Sequence, residues 1–574
     1  MVAFEISTKK RRLVVGTIAG VIGVLGVSRY IAPVAMGVYP DAVGLADADR
    51  CPSLSKLAPA FDGSLFNLSY FHTPEYRNLS LDVWGGAVRI ATPNYDDLGT
   101  IGEDPRWDVF FEFEDYLLKT FSTVASKAEL HRVNTHGLVF SIAGSDPNLK
   151  PLMLTGHQDV VPVPPETALR WTHPPFDSYF DGKYLWGRGS SDCKNNVIGI
   201  FEALEALFSK GFDNKRGIII ALGFDEETSG KNGASHIAEY LLEKLGENSV
   251  FAIIDEGGLG VQDKYGSRFA YPSTGEKGYI DIIVTLDTDG GHSSVPPRHT
   301  SIGILAEVIT EIESELYPID ISPKNPFYYQ LQCEAKAANS MDNGFRADLL
   351  NLENADAKKR ALTKISEDII SRMLISTSQA VDIIYGGVKI NALPEQVTVK
   401  INNRVAYESS VEIVKNKILA KVSKVADKYG LGVVSYSNET STVKSTEFAE
   451  LPSGQFVLSF SNQLDPAPMT STTNNPTWDL LGGTIRHIFE DFAEFPGSDL
   501  EVGSEVTVAP SVMTGNTDTK WYWRLTENIY RFTPIRQNAR ENAHAIDEKV
   551  ELNAHIEGVA FFHELVRNFD AYEN

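Results

Sequence analysis

The chain has 574 residues, 76 of them acidic and 52 basic, giving a net charge of −24. A surface that acidic argues against nucleic-acid binding, because phosphate contacts need a basic face. The length exceeds one compact core, so two or more domains are expected. The 43% hydrophobic and 22% charged residues are ordinary for a globular protein.

In chain order, Lys9, Lys10, Arg11 and Arg12 precede an apolar run at residues 13–27, and residues 30–38, after Arg29, are again mostly apolar. The first run alone is shorter than the roughly 20 residues a membrane span needs, but with Arg29 snorkelling the whole stretch suffices. Residues 1–45 therefore read as a signal anchor with a cytosolic N-terminus and a lumenal body, or as a cleaved signal peptide. A buried helix fits less well, because Gly16, Gly20, Gly23 and Gly26 weaken it. Three glycosylation triplets, Asn67-Leu68-Ser69, Asn78-Leu79-Ser80 and Asn438-Glu439-Thr440, agree with a secretory route.

Residues 40 to about 100 are irregular in pattern. Residues 151–155 (PLMLT) read as a buried strand, 197–208 as a helix stopped by Gly211, 217–224 (GIIIALGF) as a strand, and 250–254 as another. This alternation predicts an α/β fold with a mostly parallel sheet and helices on its faces. A first catalytic part is set at 46–276. An inserted α+β unit follows at 277–445, with strands at 279–286, 397–405 and 431–436 and helices at 301–315 and 409–429. The first fold resumes over 446–574, with strands at 456–460, 505–508 and 530–533 and a closing helix at 555–569.

Cys51, Cys193 and Cys333 show neither zinc-finger spacing nor a disulfide framework, and a single bridge such as Cys51 to Cys333 stays open. Any metal must then be held by His and carboxylates. Those residues stand at the strand ends: His157-Gln158-Asp159 after PLMLT, Asp225-Glu226-Glu227 after GIIIALGF, and Asp255-Glu256 after 250–254. Asp192 lies in a glycine-rich loop ahead of the 197–208 helix. Open parallel sheets bind ligands at these carboxyl ends. Converging carboxylates repel one another, and a divalent cation relieves that repulsion. Imidazole with carboxylates suits zinc or a similar metal. Singly, each has a plain alternative: a core histidine, a helix cap at Asp192, a helix start at Glu226-Glu227, a turn at Asp255. All four together at successive strand ends are hard to explain that way.

The segments GHQDVVPVP, WGRGSSDCK, DEETSG, IIDEGG and GGHSSVPP resemble, in order and spacing, the co-catalytic zinc peptidases of the aminoacylase and carboxypeptidase S family. The resemblance implies a catalytic domain with a ferredoxin-like lid, two zinc ions per chain, and a role for each matching residue. His157 would bind one metal and Asp159 would orient it. Asp192 would bridge the two metals. Glu226 would be the general base and Glu227 a ligand of the other metal. Asp255 or Glu256 would complete the first shell, with Asp255 preferred, and His544 would be the last ligand. His292 would stabilise an oxyanion, while Asn391 and Arg404 would hold the substrate, with a further substrate loop at residues 515–518. One departure is that Lys194 is followed by Asn195 and Asn196 where many relatives have two glycines.

The implied activity is zinc-dependent removal of the C-terminal residue from short peptides with a free carboxylate, in a vacuolar lumen. The alternative is N-acyl-amino-acid hydrolysis with the same two-metal site. Membrane attachment through the N-terminal anchor and a homodimer are the partner states the resemblance allows. A degenerate, non-catalytic binding protein would have lost a ligand or the base, and every such position is filled.

Overall fold

The computed structural model describes residues 51–60, 67–436 and 454–573. The expected anchor at residues 1–45 and the triplet at Asn438 lie outside these. Among the described residues, no helix is long and apolar enough to cross a membrane. Asn67 and Asn78 are both exposed; Asn67 caps a short helix by accepting from Ser69 N, and Asn78 lies on a longer one.

The strands that build the two main sheets are, in chain order, β1 (Glu129–Val133), β2 (Gly137–Ile142), β3 (Leu152–His157), β4 (Ile218–Gly223), β5 (Ala252–Asp255), β6 (Ser273–Glu276), β7 (Gly278–Thr288), β8 (Ala380–Gly386), β9 (Gln396–Val405), β10 (Gly432–Ser435), β11 (Gly454–Leu464), β12 (Ser511–Met513) and β13 (Ile529–Arg531). The large sheet runs β1-β2-β4-β3-β5-β13-β6-β12. Its centre, β4-β3-β5-β13, is parallel. β3 and β4 are buried along their whole length, as continuous apolar runs in a two-sided sheet must be.

Helices cover both faces. α1 (Pro74–Arg89), α2 (Lys194–Ser209) and α3 (Ala234–Leu245) are joined near the C-terminus by α4 (Pro476–Asp491) and α5 (Leu552–Asp570). Val197, Ile198, Phe201 and Leu204 of α2 share one core with Val559, Phe562 and Leu565 of α5. A strap at residues 51–60 lies along α4: Leu57 N donates to Gly483 O at 3.0 Å, and Asn568 Nδ2 donates to Leu57 O at 3.0 Å. Cys51 forms a disulfide with Cys333.

The second sheet, β8-β9-β7-β11-β10, has its own core, filled from one side by two helices at Ser301–Glu313 and Val411–Tyr429. β7 alternates buried and half-buried residues, which is the mark of a one-sided strand. β11 contains the 456–460 segment expected in the resumed catalytic part, but it pairs with β7 and β10 of this second sheet. Alternation identified a half-buried strand without naming its sheet. A block of helices at Pro326–Ala337, Asn343–Leu349, Ala355–Ile365 and Ile369–Leu374 was not read from the pattern. It packs on Phe269, Tyr271, Ala509 and Val512 of the catalytic side.

Candidate metal centre

His157 closes β3, and Asp159 lies just beyond it in a turn rather than on the strand. The His157 Nδ1 donates to the Asp159 carbonyl at 2.9 Å and lies 3.3 Å from Asp159 Oδ1. A carbonyl only accepts, so Nδ1 carries a proton; Nε2 lies 3.0 Å from Asp192 Oδ1 and is the nitrogen left to bind a metal when it gives up its own proton. Asp159 also accepts from Glu226 N (3.2 Å), Glu227 N (3.1 Å) and Asn94 Nδ2 (3.1 Å). One buried carboxylate thus orients the histidine and the acidic turn after β4 together.

That turn is a single 3-10 turn, Glu226–Thr228. Asp225 closes it by accepting from Asn232 N and Gly233 N at 2.7 Å each. Gly230, at φ 62°, must be glycine here: a Cβ would lie 2.2 Å from Asp518 Oδ1. The Asp192 loop is equally crowded, since a Cβ on Gly189 (φ 81°) would lie 2.5 Å from Val160 Cγ1. Asp192 does not cap α2; that position is Cys193, without a side-chain bond. Lys194 anchors the helix start, donating to Ala87 O at 3.0 Å and Ile90 O at 2.5 Å, and burial pushes its amine down to about 7. Asn195 and Asn196 are both buried in the first turn of the helix.

His544 lies on the connection between short strands at Arg540–Glu541 and Lys549–Glu551. Its Nε2 is 3.0 Å from Asp192 Oδ2 and 3.2 Å from Glu227 Oε1. Asp192 therefore stands between two imidazoles, each presenting Nε2. The ligand atoms of Asp192, Glu227 and His544 lie within 4.8 Å of one another, as do those of His157, Glu226 and Glu227.

The electrostatics match a cation site. Hydrogen bonding to Asp192 and Glu227 pushes the His544 imidazole up to about 11. Burial raises the Asp192 carboxyl, but His157 and His544 outweigh it and hold it well below its usual range. Burial, then Glu227, Asp518 and Glu256, push Glu226 well up against the opposing pull of His157. Glu227 Oε1 is buried, and the group it faces is His544 Nε2, 3.2 Å away. Two imidazole nitrogens and buried carboxylate oxygens converging on one volume fit a divalent metal that would take the place of the ring protons, with the N/O donor set of zinc.

Asp255 and Glu256 have different neighbours. Burial, opposed by the Glu256 amide and the Thr517 hydroxyl, leaves Asp255 at about 6, with Glu276 and Arg531 as its charged neighbours. Glu256 is pushed well up by burial and then by Asp192 and Asp255, with His157 opposing. The charges that act on Glu256 thus include two members of the cluster.

Arg404, on β9, lies 4.2 Å over the Tyr279 ring and donates to Asn516 Oδ1 at 3.2 Å, which joins it to the 515–518 loop. Burial lowers its pKa, and Tyr279, Asp281 and Glu226 oppose that, so it lies within the field of Glu226. His292 lies in a two-stranded ribbon with Asn391 next to it; both are exposed, and among the described residues neither hydrogen-bonds to the cluster. His292 Nδ1 accepts from Ser294 N at 3.1 Å, so a neutral ring carries its proton on Nε2, facing outward as a donor. Sequence reasoning missed Asn94, Arg188 and Glu548. Arg188 Nη1 donates to Glu548 Oε2 at 2.5 Å, deep below the Asp192 loop.

Residues 153–568 match the model of peptidase family M20/M25/M40. Carboxypeptidase S of Saccharomyces cerevisiae is 39% identical over 536 residues, covering 92% of this chain and 90% of the relative. The N-fatty-acyl-amino acid synthase/hydrolase PM20D1 of Mus musculus is 30% identical over 502 residues, 85% of this chain and 87% of the relative. The solved structure of the di-peptidase Dug1p from Saccharomyces cerevisiae superposes with a TM-score of 0.61 at 12% identity, over 89% of this chain and 99% of that one, a likeness of fold. With the family model matched from β3 to the closing helix and through both candidate histidine ligands, the chain belongs to peptidase family M20/M25/M40.

Proposed function

We propose that this hydrolase is a two-zinc carboxypeptidase releasing the C-terminal residue of short peptides. The observation that carries the reading is Asp192 held between His157 Nε2 and His544 Nε2, both at 3.0 Å, with Glu227 alongside. His157, Asp192 and Glu256 would hold one ion, and Asp192, Glu227 and His544 the other. We take Glu256 over Asp255 because its charged neighbours are Asp192 and His157. Bound zinc supplies Lewis acidity and lowers the pKa of water at the site.

The chain's own residues do the rest. Glu226 takes the proton of the attacking water and returns it to the leaving nitrogen. Its buried setting and acidic neighbours raise its affinity for that proton. Asp159 keeps the His157 tautomer and the Glu226 backbone in place. Arg404, stacked and bonded to Asn516, presents a guanidinium for the substrate carboxylate. His292 offers an Nε2–H suited to an oxyanion.

Carboxypeptidase S is the relative with the higher identity of the two, which supports a peptide substrate and is compatible with a vacuolar lumen. The Cys51–Cys333 disulfide supports an oxidising compartment. A second reading is N-acyl-amino-acid hydrolysis. It is favoured by Val295, Val388 and Ile390, exposed by 80%, 101% and 99% near His292 and Asn391, where an acyl chain could lie. Rates on a blocked dipeptide and on an N-fatty-acyl amino acid separate the two. For the shared core, purified protein should carry about two zinc per chain, lose activity on chelation and regain it with zinc. Absence of metal with undiminished hydrolysis would end the metallopeptidase reading.

A further inference from the structure

His544 is poorly held by its own surroundings. Its side chain is 49% exposed, and Asn542, His544 and Asp547 all have left-handed backbones, at φ 59°, 59° and 66°. None is glycine, and although Asn, Asp and His tolerate this region better than other residues, three such positions in six residues gain from neighbours that fix the loop.

Those neighbours come from the segment carrying Asp192. Thr172 donates through its N (2.7 Å) and its Oγ1 (2.8 Å) to the Asp547 carboxylate. Gly187 N donates to Glu548 O at 2.9 Å. The Glu548 side chain, 0% exposed, accepts from Arg188 Nη1 (2.5 Å), Ser191 N (2.8 Å) and Asp192 N (3.2 Å). Glu548 therefore grips the backbone of Asp192 with its carboxylate, while its main chain ends the His544 loop. Arg188 is 5% exposed, so the pair is shielded from solvent.

His157 is fixed by a separate set of bonds, through β3 and Asp159. We propose that Glu548, with Arg188 as counter-ion, is a positioning residue that holds the Asp192 and His544 loops in register and sets how tightly the ion at Asp192, Glu227 and His544 is retained. This rests on the two-zinc reading. It adds an asymmetry that the ligand set does not imply: loosening this clamp should weaken one ion more than the other.

The test is zinc content of the full chain, measured by elemental analysis after equilibration in buffers of decreasing free zinc. Glu548→Gln should release its second ion at about 10- to 100-fold higher free zinc than wild type, the usual cost of losing a partner that orients a ligand. The first ion shares Asp192 but keeps His157, which is fixed independently, so it should shift by a clearly smaller factor. Arg188→Met should shift the same ion in the same direction, and excess zinc should restore kcat with KM unchanged. If Glu548→Gln does not fold, Thr172→Val, which removes one exposed bond to Asp547, should give a smaller shift of the same ion. Wild-type retention of both ions in the variants overturns the clamp, as does an equal loss of both ions. A wild-type chain that retains no zinc overturns the two-zinc reading and the clamp with it.

Discussion

Glu226 and Glu227 leave the same short turn, yet their surroundings separate their tasks. Glu227 Oε1 lies 3.2 Å from His544 Nε2, in position to share a cation with it. Glu226 has no such contact; acidic neighbours and burial raise its proton affinity. Glu226→Gln should keep zinc bound and lower kcat by about 10²- to 10⁴-fold. Near-normal turnover of a blocked dipeptide would remove it from the base role. Asp255 and Glu256 provide a second residue-scale contrast. Glu256→Gln should cost one of the two ions, while Asp255→Asn, whose charged neighbours are Glu276 and Arg531, should keep both. Zinc content of the two variants decides between them, and the reverse pattern would restore Asp255 as the ligand.

At the scale of elements, the 51–60 strap approaches α4 closely at glycine. In α4, a Cβ on Gly483 would lie 2.6 Å from Leu57 Cβ and 2.9 Å from Ser55 O, so the 51–60 strap lies directly on the helix backbone. Neither contact is the end of a flexible side chain. Gly483→Ala should therefore push the strap outward and destabilise the fold by about 1–3 kcal/mol, as overpacking does, despite the better helix propensity of alanine. A denaturation midpoint equal to wild type would show that the strap yields without cost. The Ser410 cap, accepting from Ile413 N at 3.3 Å, and Gly430, at φ 64°, bound the 411–429 helix by local chemistry alone.

For the whole molecule, the second sheet presents β8 at one edge, with no further strand beside it among the described residues. β8 is exposed along nearly its full length, with Ile383, Ile384 and Tyr385 at 47%, 54% and 53% exposure. An edge strand with apolar residues and free backbone groups is a template for pairing. Pairing of two copies along β8 is the outcome such an edge predicts, and sedimentation tests it. Ile384→Lys should shift sedimentation from dimer toward monomer while leaving zinc content unchanged. A wild-type chain that is monomeric at all concentrations tested would dismiss the dimer.

The α/β alternation, the sites of β3, β4 and β5, and the acidic clusters at their ends were legible in the chain, because buried strands are continuous apolar runs and polar residues there stand out. The candidacy of His544 and Arg404 and the proposed base role of Glu226 came through resemblance, since no local period marks them. The assignment of β11 to the second sheet was not legible: alternation reports which face is buried, not which strand lies beside it. Arg188, Glu548 and Asn94 were also hidden, because their meaning lies in contacts across long separations, Asp192 N to Glu548 being 356 residues apart. By itself, the sequence determined which candidate ligand and proton-transfer groups exist and which strand ends carry them, through local hydrophobic patterning. Only the tertiary structure decided which of these groups meet, because that depends on loops crossing between distant segments and on buried bonds that hold them there.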